Sequence, residues 1–316
     1  MTMLEISGVR IEAICAALPT RTEANDEKIA RATGILARRI AEPGETVVDL
    51  CVRAAKRALA AVQTAPDDLG AVVFVSFTQH DRMPCAAAQA QARLGIPNGV
   101  IAFDVSLACS GWGYGLYLAG LLARQTGRKV LLLDGDVQSE FCDAADGATV
   151  PLLADGGTAT LIGLAAPSAE PWRFSFVSDG EKGDALRLEH GGTIRMDGFG
   201  VFRFVATDVV RYIRGFVEEM AAAEDVDTPS LQERIDWFVP HQPNAYMVRQ
   251  LAKSVGFDER RTAMSCDRFG NMSSASVPVA MAVNGVRGKV LFAGFGGGLS
   301  VSIGAIQIDS DCRLMV

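Results

Sequence analysis

Apolar runs rich in β-branched residues recur without any polar alternation: Ala71-Val72-Val73-Phe74-Val75, Val130-Leu131-Leu132-Leu133 and Val290-Leu291-Phe292-Ala293. A strand with one wet face alternates apolar and polar residues, so these runs call for strands covered on both faces. Helical patterns lie between them. Thr46-Val47-Val48-Asp49 reads as a capping box, opening a helix to about Val62. A second helix is expected from Pro84 to Leu94, and Leu116, Leu118, Ala119, Leu121 and Leu122 mark a third that stops at Gly127. Buried strands alternating with helices limit the chain to a layered α/β fold.

The pattern occurs twice. Asp68-Leu69-Gly70-Ala71-Val72-Val73 and its helix ending Leu94-Gly95 resemble Ile235-Asp236-Trp237-Phe238-Val239 and its helix ending Val255-Gly256. Arg128-Lys129-Val130-Leu131 likewise resembles Gly288-Lys289-Val290-Leu291. We read duplicated α/β halves, 1–165 and 166–316. Residues 4–14 read as one strand with a bulge or turn at Gly8, and 200–220 as one long helix.

With 49% hydrophobic residues in 316, the chain can bury a large core. Its net charge of −7 and lack of a basic run argue against nucleic acid as a partner. No apolar run approaches the ~18–20 residues that span a bilayer, and no signal-peptide pattern opens the chain. A soluble cytoplasmic protein is expected. The seven cysteines are odd in number and form no C-x-x-C pair, which disfavours a disulfide framework or a structural zinc site.

Cys109 lies in Ser106-Leu107-Ala108-Cys109-Ser110-Gly111, where an apolar strand hands over to a helix. N–H groups at a helix start favour a thiolate, so a lowered thiol pKa is expected there. A buried, inert cysteine is the plainer alternative. His241 also stands between a strand and a helix, Asn271 lies in a small-residue loop, and Gly296 to Gly298 follow a strand. Strand-to-helix loops at the carboxyl ends of strands are where such folds hold ligands. Each residue alone is more often structural.

Together, Ala108-Cys109-Ser110-Gly111, Val239-Pro240-His241-Gln242-Pro243-Asn244, Gly270-Asn271-Met272-Ser273-Ser274 and Phe295-Gly296-Gly297-Gly298 resemble the active-site motifs of 3-oxoacyl-acyl-carrier-protein synthase III. Thr33-Gly34-Ile35, Asp155-Gly156-Gly157 and Ile194-Arg195-Met196-Asp197-Gly198 extend the likeness over nearly the whole chain. The resemblance implies a thiolase-like fold of duplicated halves in αβαβα layers. It implies Cys109 as nucleophile, with His241 and Asn271 stabilising the enolate of a decarboxylating malonyl thioester. Backbone N–H groups of Cys109 and Gly297 would hold the oxyanion. Substrate-binding roles are implied for Gly297, Asn244, Gly198 and Met83, the last where the family's dimer partner closes the acyl pocket. Arg203, Arg249 and Lys253 would dock an acidic acyl carrier protein. Thioesters of coenzyme A or phosphopantetheine are then substrates, with no metal or organic cofactor, and the protein is a homodimer.

The sequence departs from the family in two places. Residues 20–32 hold no Trp, Tyr or Phe to grip a nucleotide before Thr33-Gly34-Ile35, which opens the way to a carrier-protein-bound primer. Tyr246 stands where the family tends to place an arginine. Two other readings share these residues: acyl transfer from Cys109 to an oxygen or nitrogen acceptor, and a cysteine hydrolase using Cys, His and Asn in that order. The duplicated α/β pattern argues against the hydrolase.

Overall fold

The computed structural model describes residues 2–316. One sheet has six strands, ordered Arg313–Met315, Val9–Ala17, Gly156–Leu164, Lys129–Asp136, Leu69–Val75 and Ile101–Val105. The other large sheet has five, ordered Leu4–Ile6, Trp172–Ser178, Ser300–Ile308, Gly288–Gly296 and Trp237–Pro240.

Helices Gly111–Thr126 and Ser276–Asn284 form the layer between the sheets. Their Trp112, Leu116, Val277 and Met281 share one core with Val73 and Leu132 of the first sheet and Phe174 and Phe292 of the second. Glycines let the first of these helices fit. A Cβ at Gly115 would strike Leu132 and Val75, and one at Gly113 would strike Ser302 and Phe292, so small residues face both sheets. Helices Val47–Ala61 and Ala86–Arg93 cover the outer face of the first sheet. Val210–Ala223 and Ala245–Ser254 cover that of the second. The layers therefore run αβαβα. Among the described residues, no helix is long and apolar enough to cross a membrane.

The doubled pattern follows the sheets. Leu69–Val75 pairs in parallel with Lys129–Asp136, which pairs antiparallel with Gly156–Leu164. Trp237–Pro240 pairs in parallel with Gly288–Gly296, which pairs antiparallel with Ser300–Ile308. The edge strand Ile101–Val105 has only a single bridge, Phe238 to Thr262, as its counterpart. Residue 165 falls between strands of different sheets, yet both terminal strands cross that line. Leu4 pairs with Phe174, and Leu314 with Ile14.

Two expectations need correcting. Residues 4–14 are not one strand: Gly8, at φ +74, turns the chain from one sheet to the other. Residues 200–220 are not one regular helix but Gly198–Phe204, a π-helical turn at Val205–Val209, and Val210–Ala223. Val201, Val205, Val209 and Ile213 repeat every four residues and would drift off one face at ~3.6 per turn. The wider turn keeps Val205, Val209 and Ile213 buried.

Candidate active site

Cys109 sits in the turn between the strand Ile101–Val105 and the helix Gly111–Thr126. The Gly111 N–H donates to Ala108 O at 2.7 Å and tightens that turn. The second half of the chain grips it from across: Ser302 Oγ donates to Ser110 O at 2.8 Å, and the Ser110 and Ser300 hydroxyls are 2.7 Å apart. The expectation of a depressed thiol pKa fails. Burial pushes Cys109 up to about 12, with a nearby Asp136 carboxylate adding to the rise and the Ser273 hydroxyl opposing it. Desolvation of a charged sulfur outweighs the helix start.

Asn271 is positioned by the other half of the protein. Its N–H donates to Leu152 O at 2.9 Å, and its carbonyl accepts from Ala154 N at 2.8 Å and Gln138 Nε2 at 2.8 Å. Its side-chain Oδ1 accepts from Ser273 N at 3.0 Å. With that oxygen engaged, the NH₂ end of the amide is left to donate.

His241 follows the strand Trp237–Pro240, and its N–H donates to Ala293 O at 2.7 Å. Gln242 locks the same turn, donating to Pro240 O and Ala263 O and accepting from Ser265 N. The His241 ring meets Phe295 edge-on, with centroids 5.3 Å apart, and its Nδ1 is buried without a partner. Burial drives its pKa down to about 3, against a weaker upward push from the Ser273 backbone. At neutral pH the imidazole is uncharged, with one N–H to donate.

Cys109, Asn271 and Gly297 line one cavity of about 360 Å³. Phe77, Gln138 and Leu153 form part of its wall, and the hairpin of Leu186–Leu188 and Ile194–Met196 covers it. His241 does not line it; it is a buried neighbour of Ser273. Other expected residues lie elsewhere. Asn244 caps the helix Ala245–Ser254, accepting from Met247 N at 2.8 Å, which commits its oxygen to structure. Gly198 opens a helix beyond the hairpin, and Met83 is 87% exposed, so neither touches the cavity within one chain. Arg203, Arg249 and Lys253 are exposed, with Arg249 paired to Glu259 at 3.5 Å.

Sequence reasoning missed Ser273, whose Oγ lies 3.9 Å from Cys109 Sγ, and Asp136, a buried carboxylate at the end of Lys129–Asp136. The signal for Asp136 was present: Asp134-Gly135-Asp136 places carboxylates where an apolar strand ends. Nothing in the sequence marks Ser273 apart from its neighbouring serines.

Two sheets enclosing paired helices, with a buried cysteine at the start of one helix and a histidine and asparagine from the other half, define a thiolase-type condensing enzyme. Residues 103–180 match the 3-oxoacyl-[acyl-carrier-protein (ACP)] synthase III family, and residues 230–308 match its C-terminal region. A beta-ketoacyl-[acyl-carrier-protein] synthase III of Halalkalibacterium halodurans is 30% identical, over 94% of this chain and 96% of its own. The solved 3-oxoacyl-(acyl-carrier protein) synthase of Burkholderia xenovorans superposes with a TM-score of 0.92 at 26% identity, covering 100% of this chain and 98% of its own. The priming β-ketosynthase of the R1128 polyketide pathway gives 0.84 at 29%, covering 98% of each. The chain belongs to the 3-oxoacyl-[acyl-carrier-protein] synthase III family.

Proposed function

We propose that the protein forms an acyl-Cys109 intermediate and condenses it with a malonyl thioester on acyl carrier protein, giving a 3-oxoacyl thioester and carbon dioxide. The observation that carries this reading is the single cavity lined by Cys109, Asn271 and Gly297. Cys109 sulfur attacks the donor thioester. The resulting oxyanion is held by the N–H groups of Cys109 and Gly297; one such donor is typically worth about 10²–10³ in rate. The malonyl group then loses carbon dioxide, and its enolate oxygen accepts from the Asn271 amide at the cavity wall; His241, which does not line the cavity in the resting chain, is the second donor once substrate reaches it. A neutral amide and a neutral imidazole suit that role, where a carboxylate would repel the enolate. The carbanion attacks the acyl-cysteine, and the chemistry calls for no metal or organic cofactor.

Partners follow from exposed features. Arg203, Arg249 and Lys253 face solvent and suit the acidic surface of a carrier protein. Ile101–Val105 is an open sheet edge with Ile101 44% exposed, and open apolar edges invite a second strand. A homodimer joined there in the cytoplasm, with Met83 reaching the neighbouring cavity, is the assembly we expect.

The test is the intact mass of the protein after incubation with a panel of acyl-CoA and acyl-carrier-protein thioesters, beside Cys109→Ala. One added acyl group, absent from the variant, identifies the nucleophile and the donor. Malonyl-carrier protein is then added and carbon dioxide measured. Loss of the acyl group without carbon dioxide would point to an oxygen or nitrogen acceptor and sink condensation.

A further inference from the structure

Acylation of Cys109 requires its thiol to give up a proton, and His241 is poorly suited to take it. Burial holds His241 at about 3, so its basicity is low at neutral pH. Another group is better matched. Asp136 is fully buried beside the nucleophile, and burial raises its pKa to about 7, opposed by the Ser273 hydroxyl and by hydrogen bonds from Phe77, Ser76 and Thr78. A base is most effective when its pKa lies near the working pH.

Ser273 acts on both groups. Cys109 Sγ donates to Ser273 Oγ at 3.9 Å. Asp136 Oδ1 is saturated, accepting from Ser76 Oγ at 2.8 Å, Phe77 N at 2.9 Å and Thr78 Oγ1 at 3.1 Å. Its Oδ2 is buried and makes no hydrogen bond in the resting chain, and Ser273 is the hydroxyl that lowers the pKa of both Cys109 and Asp136. Ser273 holds φ +51, a conformation that glycine adopts more easily. Its N–H is fixed by Asn271 Oδ1, so the strained backbone keeps this hydroxyl beside the Cys109 sulfur. The other titratable groups near Asp136 are Asp134 on its own strand, Cys109 opposite, and Cys51 on the helix Val47–Ala61.

We propose that Asp136, acting through the Ser273 hydroxyl, takes up the proton that Cys109 loses when it is acylated. The inference rests on Cys109 being the nucleophile. As sulfur bonds to the thioester carbonyl carbon, its proton passes to Ser273 Oγ, and the Ser273 proton passes to Asp136 Oδ2. The tetrahedral adduct then expels the donor thiolate, which recovers the proton by the same path. Nothing is oxidised or reduced, and the carboxylate is restored each turn. The Asp136 charge opposes a preformed thiolate, so ionisation is coupled to attack.

The experiment follows modification of Cys109 in the full chain from pH 5.5 to 9, read by peptide mass. The probes are iodoacetamide, acetyl-CoA and octanoyl-CoA, and the variants are Asp136→Asn, Ser273→Gly and both together. Wild-type modification should rise through a limb near pH 7. Each single variant should lose that limb and slow by about 10²-fold or more at neutral pH. The double variant should be no slower than either single one, because the two act as one unit. Ser273→Gly suits the backbone at φ +51, so it carries the test if Asp136→Asn does not fold. An unchanged limb in the folded variants overturns the proposal. So does a slower rate with an unchanged pH profile, or a limb that vanishes in His241→Gln and persists in Asp136→Asn. Alkylation that follows Asp136 with no acyl transfer from any donor would instead count against the proposed reaction and leave the proton path standing.

Discussion

A methyl group placed on Gly296 would stand 2.8 Å from the Cβ of Cys109 and 3.0 Å from its sulfur. The strand Gly288–Gly296 thus passes the nucleophile at a distance that only glycine permits. Gly296→Ala should push Cys109 out of line and reduce acylation by about 10²-fold, with little change in secondary structure. Single-turnover mass measurement beside circular dichroism checks this; acylation at the wild-type rate would mean that the turn has slack.

His241 and Asn271 are assigned to the second step. His241→Ala should slow carbon dioxide release by about 10²–10³-fold while Cys109 still accepts an acyl group, whereas Asn271→Ala, which also frees the Ser273 N–H, should slow acylation as well and carbon dioxide release the more. Labelled malonyl-carrier protein, with the acyl-enzyme followed by mass, separates the two steps. Equal loss of both steps in His241→Ala would place that residue in the fold of the site alone.

The predicted nucleophile, amide and glycine turn could be read from the sequence because each lies in a short local motif, at a strand end for Cys109 and the glycines and in a small-residue loop for Asn271. Their mutual distance could not be read. It depends on Ser302 reaching Ser110 and on Leu152 and Ala154 clamping Asn271, contacts separated by more than a hundred residues. The protonation states were the least legible. A helix start is local and visible in sequence, whereas the burial that pushes Cys109 up and His241 down is a property of the assembled layers. Likewise the buried runs revealed the sheets, but the Gly8 turn that sends Leu4–Ile6 into the far sheet looks the same in sequence as a bulge.

Asp134 gives a pH signature of stability. Burial raises its carboxyl from 3.8 to about 7, with Asp136 adding to the rise and Thr158 opposing it. Between those values the folded protein binds more protons than the unfolded chain, so this group's contribution becomes less favourable as pH rises from 3.8 to 7. Asp134→Asn removes the cost of a buried charge. It should raise Tm more at pH 8 than at pH 5, as measured by calorimetry; a gain independent of pH would assign the effect to packing.

Arg249 and Lys253 lie on one exposed face of the helix Ala245–Ser254. Reversing both charges with Arg249→Glu and Lys253→Glu should weaken turnover with carrier-protein substrates by about tenfold or more and spare small thioester analogues. Salt titration of wild-type turnover should show the same selectivity. Equal losses with both substrate types would remove this face from docking.

Met83 is open to solvent in a single chain, at 87% exposure. If a second subunit carries it to the acyl cavity, Met83→Phe should shorten and Met83→Ala lengthen the preferred acyl group, measured by competition among donors of graded length. An unchanged length profile would limit Met83 to packing.

The exchange of terminal strands has a consequence for biosynthesis. Leu4–Ile6 waits for Trp172–Ser178, and Val9–Ala17 gains its outer neighbour only from Arg313–Met315. Neither sheet is complete until nearly the whole polypeptide has emerged from the ribosome. A prematurely terminated product would therefore lack an edge strand in the sheet that supports Cys109, leaving the longer, apolar Val9–Ala17 as the open edge in place of the short Arg313–Met315. The first half should be a poor folding unit when synthesised alone, and the two halves should unfold together.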